Sequence, residues 1–163
     1  MSVAQSGKIL IVQFSSDRNG SAISGLLLAN GLRERGWETF VVFAYPGPME
    51  LDYQLVGHQT AVVEHKNWLR RSNPLRFAKD LWAEWRKVPS FLKLMKSVNP
   101  DVIYINTAVS LVAAFAARKL GIKTIWHMRE LFSDVGGEMF APKAVKPFIR
   151  AIFKNFSDVL VIN

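Results

Sequence analysis

The sequence of 163 residues contains no cysteine and no long hydrophobic segment. The lack of cysteine excludes disulfide bonds, thiolate metal sites and a cysteine nucleophile, and it suits a reducing compartment. The longest apolar run, at residues 108–117, is well short of the roughly 20 residues that a membrane-spanning helix needs. The apolar run at residues 8–14 is too short for the core of a signal peptide. We therefore expect a cytoplasmic protein.

Several catalytic and binding motifs are also missing. The histidines show no HExxH or similar spacing, so a zinc site is unsupported and we expect no metal. The sequence has no GxSxG nucleophile elbow, no GxGxxG and no P-loop. The second predicted strand ends in Phe43, Ala44 and Tyr45, where a nicotinamide-binding domain would place an acidic residue. A dehydrogenase is therefore disfavoured.

Acidic residues are scarce, with 13 Asp and Glu against 21 Lys and Arg, and the net charge is +8. The segment from Lys66 to Lys96 holds nine basic and two acidic residues, so it carries +7 of this excess. A solvated basic helix face and contact with an anionic membrane surface both explain this charge. Nucleic-acid binding is least favoured, because no recognisable reading module accompanies the charge. The candidate membrane-surface residues are Arg76, Lys79, Arg86 and Lys87.

Short apolar runs alternate with helical patterns along the chain. Strands that are apolar on both faces specify a parallel sheet covered by helices on each side, and right-handed crossovers make it doubly wound. The predicted strands are residues 8–14, 37–44, 60–65, 101–106, 123–128 and 158–163. We predict a single Rossmann-like α/β domain over residues 1–163, with a mostly parallel sheet.

Two expectations concern the middle of the chain. Residues 46–57, which begin with two prolines and a glycine, are predicted to be an irregular connection. A helix is predicted to begin at Pro74 and to turn an apolar stripe, including Trp82 and Trp85, toward the core. The complete predicted stripe is Leu75, Ala78, Leu81, Trp82, Trp85 and Val88.

Polar residues follow two of the predicted strands at the point where each strand ends. Asn106 and Thr107 close one strand, and His127, Arg129 and Glu130 close another. In an open parallel sheet ligands bind beyond the carboxyl ends of the strands, so these residues are candidates for a site. A lone histidine is more often a hydrogen-bonded core residue, and the Arg–Glu neighbours also suit a surface ion pair.

The loop between the first strand and the first helix is a candidate phosphate site. Its small residues, among them Asn19, Gly20 and Ser21, allow close approach of the backbone, and the following helix N-terminus presents unpaired amides. Gly20 is expected to be the most constrained of them. A plain tight turn is the alternative interpretation.

Several segments, taken in order, resemble the N-terminal domain of family 4 glycosyltransferases. They are KILIVQF, the glycine loop, LLLANGLRERGWETFVV, VNPDVIYINT and KTIWHMRE. The resemblance implies the GT-B architecture, in which an acceptor-side domain and a donor-binding domain face a cleft. It implies transfer from a nucleotide-sugar to a polysaccharide or lipid-linked acceptor, with retention of configuration and without a metal or other cofactor. The C-terminal donor domain is expected to be absent here, so that the chain alone would be inactive.

The resemblance also implies roles for individual residues. The amides near Gly20 would approach the donor diphosphate, and His127 would contact the transferred sugar. Asn106 and Thr107 would line the cleft, and Arg129 and Glu130 match a pair near the acceptor side. The loop departs from the family pattern of paired glycines and an acidic residue, because Asn19, Ser21 and Ile23 stand there. This interpretation requires that the His127 imidazole is not sealed in the interior.

Two other functions stay open at this point. A non-catalytic α/β module that binds a partner or a small anion is the first alternative, and a nucleotide-binding dehydrogenase fragment is the weaker one.

Overall fold

The computed structural model describes residues 7–67, 74–129 and 146–162 of the chain. The strands are β1 (Gly7–Gln13), β2 (Trp37–Phe43), β3 (Gln59–Val62), β4 (Val102–Ile105), β5 (Lys123–Met128) and β6 (Val159–Ile162). The helices are α1 (Gly20–Glu34), α2 (Pro48–Leu55), α3 (Pro74–Trp85), α4 (Val88–Val98), α5 (Leu111–Leu120) and α6 (Lys146–Phe156). Strands and helices therefore alternate as the sequence predicts.

The six strands form one parallel sheet in the order β3-β2-β1-β4-β5-β6. The chain moves outward from β1 to β3 and then returns to place β4 on the other side of β1. This arrangement confirms the predicted doubly wound α/β fold. The strand order reverses between β1 and β4, so a crevice is expected beyond the carboxyl ends of these two strands.

Helices cover both faces of the sheet. On one face α1 and α2 pack over an apolar cluster that includes Ile11, Phe43 and Tyr53. On the other face α4, α5 and α6 pack over a larger cluster around Phe91 and Trp126. Because successive residues of a strand point to opposite faces, the residue that follows Trp126 lies on the α1 face of the sheet.

The ends of the helices follow from local sequence. The side-chain oxygen of Asn19 accepts a hydrogen bond from the backbone N–H of Ala22, which caps the start of α1. Asn99 and Gly121 end α4 and α5 with φ angles of 51° and 69°, the left-handed conformation that commonly terminates helices.

Two elements differ from the sequence-based predictions. The connection at residues 46–57 contains the helix α2, because Gly47 and Pro48 begin a helix there, with Met49 and Tyr53 buried. The predicted stripe is only partly in the core: Val88, which begins α4, is buried and Leu81 packs against the apolar cluster, but the other four residues are exposed. Leu75, Trp82 and Trp85 are 84%, 63% and 53% exposed, because α4 supplies the side chains that cover the sheet in this region.

Candidate functional site

Asn106, which directly follows β4, is the centre of a buried polar cluster at the carboxyl ends of the strands. Its Nδ2 donates to Oε1 of Gln13 at 2.6 Å and to the carbonyl of Ser21 at 3.0 Å. Its Oδ1 accepts from Nε of Arg129 at 2.7 Å. Gln13 also donates to the Ser21 carbonyl, at 3.0 Å. The last residue of β1, the first turn of α1 and the end of β5 are thereby joined at the switch point of the sheet.

Gly25 lets α1 lie close to this cluster. A Cβ at this position would stand 2.6 Å from Nε2 of Gln13, 2.8 Å from the hydroxyl of Tyr53 and 3.1 Å from Nδ2 of Asn106. These distances leave no room for a side chain. Gly25 was not predicted as a site residue, because nothing in the sequence pattern distinguishes it from the other glycines of the helix.

Tyr104 and His127 extend the cluster across the same face of the sheet. The Tyr104 hydroxyl contacts Nδ1 of His127 and lies 3.4 Å from Oδ1 of Asn106. Burial raises the pKa of Tyr104, and the positive charge of Arg129 opposes this effect. The site therefore holds a neutral tyrosine beside a guanidinium.

The His127 side chain is less accessible than direct contact with a sugar requires. The residue is 8% exposed, and its Nε2 is buried without a hydrogen-bond partner in the described part of the chain. The expectation of an open imidazole is wrong for this structure. The imidazole is nevertheless not in an apolar core, since Tyr104 links it to the cluster around Asn106.

The loop before α1 is held by its own side chains. Oδ1 of Asn19 accepts from the hydroxyl of Ser21 at 2.8 Å, and its Nδ2 donates to Oγ of Ser15 at 2.7 Å. The hydroxyl of Tyr45 contacts the same Ser15 oxygen at 3.0 Å and donates to Asp17 at 2.8 Å. Asn19 and Ser21 therefore shape the loop through their side chains.

The N-terminus of α1 is open to a ligand. The backbone amides of Gly20 and Ser21 have no partner among the residues that the structure describes, as is usual for the first turn of a helix. A Cβ at residue 20 would meet nothing within 4 Å. Gly20 is thus not the sterically constrained residue that we expected, and it borders empty space beside unpaired donors.

Thr107 and three residues of the basic segment are the remaining candidates that the structure describes. Thr107 is buried, its hydroxyl accepts from the Val109 amide at 3.3 Å, and its carbonyl accepts from Trp126 Nε1 at 2.6 Å. Glu130 lies outside the described residues, as does the Arg76 side chain. Lys79 and Arg86 are exposed on the surface, and the half-buried Lys87 pairs with Glu64 at 3.2 Å.

Other features lie apart from this cluster. Within residues 7–67, 74–129 and 146–162, no group of three or more His, Asp or Glu side chains could hold a metal ion. A cavity of about 310 Å³ lies at the amino ends of β5 and β6, lined in part by Arg118, Lys123 and Asp158, and it is remote from Asn106. In the same described ranges, none of the helices is both long and apolar enough to span a bilayer.

The strand order and the crossover between β1 and β4 define a doubly wound, Rossmann-like α/β domain. Residues 19–163 match the family model of the glycosyl transferase 4-like domain. The chain therefore belongs to that glycosyltransferase family, whose enzymes have the GT-B architecture. No curated protein matches the sequence.

Solved structures share this fold at low sequence identity. The HepE protein of Anabaena in complex with UDP has a TM-score of 0.68 and 16% identity, over 94% of this chain and 36% of that one. MurG of Acinetobacter baumannii has a TM-score of 0.65 and 14% identity, over 96% and 41%. UGT89C1 of Arabidopsis thaliana in complex with UDP has a TM-score of 0.61 and 15% identity, over 96% and 45%. The chain thus spans less than half the length of these proteins.

Proposed function

We propose that this chain is the acceptor-side domain of a retaining glycosyltransferase that transfers a sugar from a nucleotide-sugar to a polysaccharide or lipid-linked acceptor. The observation that carries the proposal is the pair of unpaired amides at Gly20 and Ser21, which border open space next to the cluster around Asn106. Family membership supports the reaction class, and the UDP bound to HepE supports the type of donor.

The chemistry of such a site is electrostatic. When a sugar leaves a nucleoside diphosphate, negative charge develops on the diphosphate oxygens. Backbone amides at a helix N-terminus carry a partial positive charge and are fixed before the reaction, so they stabilise that charge without reorganising. Arg129, held against Asn106 at 2.7 Å, adds a full positive charge to the same end of the sheet.

The side chains around the helix N-terminus are assigned to the substrates. We assign His127 to the transferred sugar and Asn106, Arg129 and Glu130 to the acceptor side of the cleft. Because His127 is buried, its contact with a sugar requires the groups that cover the imidazole to move when the donor binds. Thr107 supports Trp126 through its carbonyl, so its part in binding is indirect.

We propose further that the donor-binding domain is not contained in these 163 residues and that the chain by itself is inactive. This proposal is supported by the length of the related structures, of which the chain spans 36% to 45% in the three compared. Activity is expected only when a second Rossmann-like domain closes the cleft over the donor.

Nucleotide titrations followed by NMR test the binding site. Addition of UDP or UDP-glucose should shift the amide resonances of Gly20 and Ser21, and Gly20→Val should abolish the shift by filling the space above the helix end. Gly31→Ala, in the same helix, is the matched control, because its Cβ would meet only the flexible end of Arg35. Unchanged resonances with both nucleotides would contradict the assignment of the Gly20 and Ser21 amides to the donor diphosphate.

The same titration separates the alternative functions. A non-catalytic anion-binding module should respond to inorganic phosphate as strongly as to UDP, whereas a donor site should prefer the nucleotide. A dehydrogenase fragment should respond to NAD.

We also propose that the protein acts at the cytoplasmic face of a membrane, where a lipid-linked acceptor would be found. The observation that favours this location is the exposed face of α3. Leu75, Ala78, Trp82 and Trp85 recur at helical spacing on one side of the helix and are exposed. The Arg86 guanidinium lies 5.2 Å from the centre of the Trp82 ring. Aromatic and basic side chains of this kind bind the interface of anionic bilayers.

Liposome sedimentation tests the membrane proposal. The double variant Lys79→Gln/Arg86→Gln should lose most binding to vesicles that contain anionic lipid, and Trp82→Ser should weaken binding without any change in charge. The control Lys119→Gln/Lys123→Gln removes the same charge from exposed residues outside the basic segment. Equal binding by the test and control variants would exclude a specific role for α3.

A further inference from the structure

Tyr104 and His127 lie on neighbouring parallel strands and on the same face of the sheet. The register of β4 and β5 sets Tyr104 opposite Ile125, so His127 is its diagonal neighbour two residues further along β5. The rings meet edge to face, with centroids 5.9 Å apart and planes at 72°. In this arrangement the Tyr104 hydroxyl hydrogen-bonds Nδ1 of His127.

The neighbours of the Tyr104 hydroxyl decide where its proton points. The Arg129 side chain hydrogen-bonds the Tyr104 oxygen, and a guanidinium can only donate. The tyrosine oxygen therefore accepts from Arg129, and its own proton is left to donate. Two acceptors are in reach: Oδ1 of Asn106, which is 3.4 Å away, and Nδ1 of His127, which is nearer. The hydroxyl proton is thereby directed to His127.

The three histidines of the chain differ in how their ring nitrogens are satisfied. Nδ1 and Nε2 of His58 contact Thr39 and Asn30 at 2.5 and 2.8 Å. The two nitrogens of His65 contact the Val63 carbonyl and the Ser110 hydroxyl, both at 2.8 Å. His127 alone among them has a buried nitrogen, Nε2, without a partner in the described part of the chain. Buried polar atoms are nearly always paired, so this nitrogen requires a partner such as a water molecule or a ligand oxygen.

We propose that Tyr104 is a positioning residue for His127: supported by Arg129 and Asn106, it holds the imidazole in the tautomer that carries its proton on Nε2. When Nδ1 of a neutral imidazole accepts a hydrogen bond, the ring proton is on Nε2. Nε2 is then a donor that recognises an oxygen lone pair of a ligand. The inference rests on the proposed function only for the identity of that oxygen, a hydroxyl of the transferred sugar. A protonated Nε2 cannot accept a proton, so His127 binds the sugar and does not act as a base.

The tautomer is measured directly by long-range ¹H–¹⁵N NMR of the ¹⁵N-labelled chain. At about pH 8, where free histidine is neutral, each neutral tautomer has a distinct pair of ring-nitrogen shifts. The His127 signals are assigned by their loss in His127→Gln. We expect a single tautomer with the proton on Nε2, and we expect the nitrogen shifts in Tyr104→Phe to move toward the average of the two tautomers.

Tyr45→Phe is the matched control, because it removes a tyrosine hydroxyl that contacts Ser15 and Asp17 and not His127. It should leave the His127 signals unchanged. A proton on Nδ1 in the wild-type chain, or unchanged signals in Tyr104→Phe, would overturn the inference. If Tyr104→Phe does not fold, the wild-type tautomer still decides the question. Neither result depends on nucleotide binding, so failure of the proposed function is seen separately in the UDP titration.

Discussion

Replacement of Gly25 by alanine tests how the candidate site is built. The new Cβ would stand 2.6 Å from Nε2 of Gln13 and 2.8 Å from the hydroxyl of Tyr53. Both distances are shorter than real Cβ contacts, and both neighbours are almost completely buried, so helix α1 or the polar cluster must shift. The substitution therefore strains the packing between α1 and the carboxyl ends of β1 and β4.

The size of the effect follows from two opposing contributions. Overpacking of a buried site costs about 1–3 kcal/mol. Alanine is favoured over glycine inside a helix by about 1 kcal/mol. Gly31→Ala gains the same helical preference in the same helix, but its Cβ would meet only Nη1 of Arg35, at 3.3 Å, which can move aside. The difference between the two variants therefore isolates the overpacking cost.

Urea denaturation of the two variants and the wild type gives this difference. Gly31→Ala should be slightly more stable than the wild type, and Gly25→Ala should be about 1–3 kcal/mol less stable than Gly31→Ala. Equal stability of the two alanine variants would refute the close approach of α1 to Gln13 and Asn106, and with it the geometry of the proposed site.

Three further predictions concern buried polar groups. Asn106→Ala removes the bonds to Gln13, Ser21 and Arg129 and should lower the free energy of unfolding by about 2–4 kcal/mol in urea denaturation; a change below about 1 kcal/mol would contradict the cluster. Burial raises the pKa of Glu84 from 4.5 to about 7. As pH rises, Glu84 therefore loses its proton in the unfolded chain before it does so in the folded chain. The free energy of unfolding consequently falls as pH rises from 4.5 to 7. The stability of Glu84→Gln relative to the wild type should thus increase by roughly 1–3 kcal/mol from pH 4.5 to 7, and a flat difference would contradict this. Burial lowers the pKa of His65 to about 4, so NMR titration should find the ring neutral at pH 5. The stability that depends on the neutral ring should be lost as pH falls from about 6.5 to 4. A measured pKa near 6.5 would contradict the burial of His65.

The polar residues that follow β4 and β5 are the part of the site that could be predicted from the sequence. Asn106, His127 and Arg129 were identified because they interrupt apolar strands at the carboxyl ends of a predicted parallel sheet, and the structure places them in one hydrogen-bonded cluster with Tyr104. Gln13 was missed, although it ends the apolar strand β1 and carried the same kind of signal.

Other members of the site carried no signal in the sequence. A tyrosine such as Tyr104 is ordinary in a strand, and only the register between β4 and β5 brings its hydroxyl to His127. Gly25 matters only because α1 crosses close to Gln13, which is a relation between elements far apart along the chain.

The helix α3 shows that the burial of an amphipathic helix also cannot be predicted from its own sequence. Its periodicity correctly indicated an amphipathic helix, but periodicity does not state what covers the apolar side. The sheet was already covered by Phe91 and Met95 of α4, which left Trp82 exposed.

By itself the sequence determined the alternation of strands and helices, the parallel sheet and the end of that sheet where polar residues collect, because each of these depends on patterns within about ten residues of chain. Only the tertiary structure decided that His127 is buried, that Gly20 borders open space and that Leu75, Trp82 and Trp85 of α3 are exposed. Those properties depend on which other elements occupy the space around a residue, and no local pattern records that.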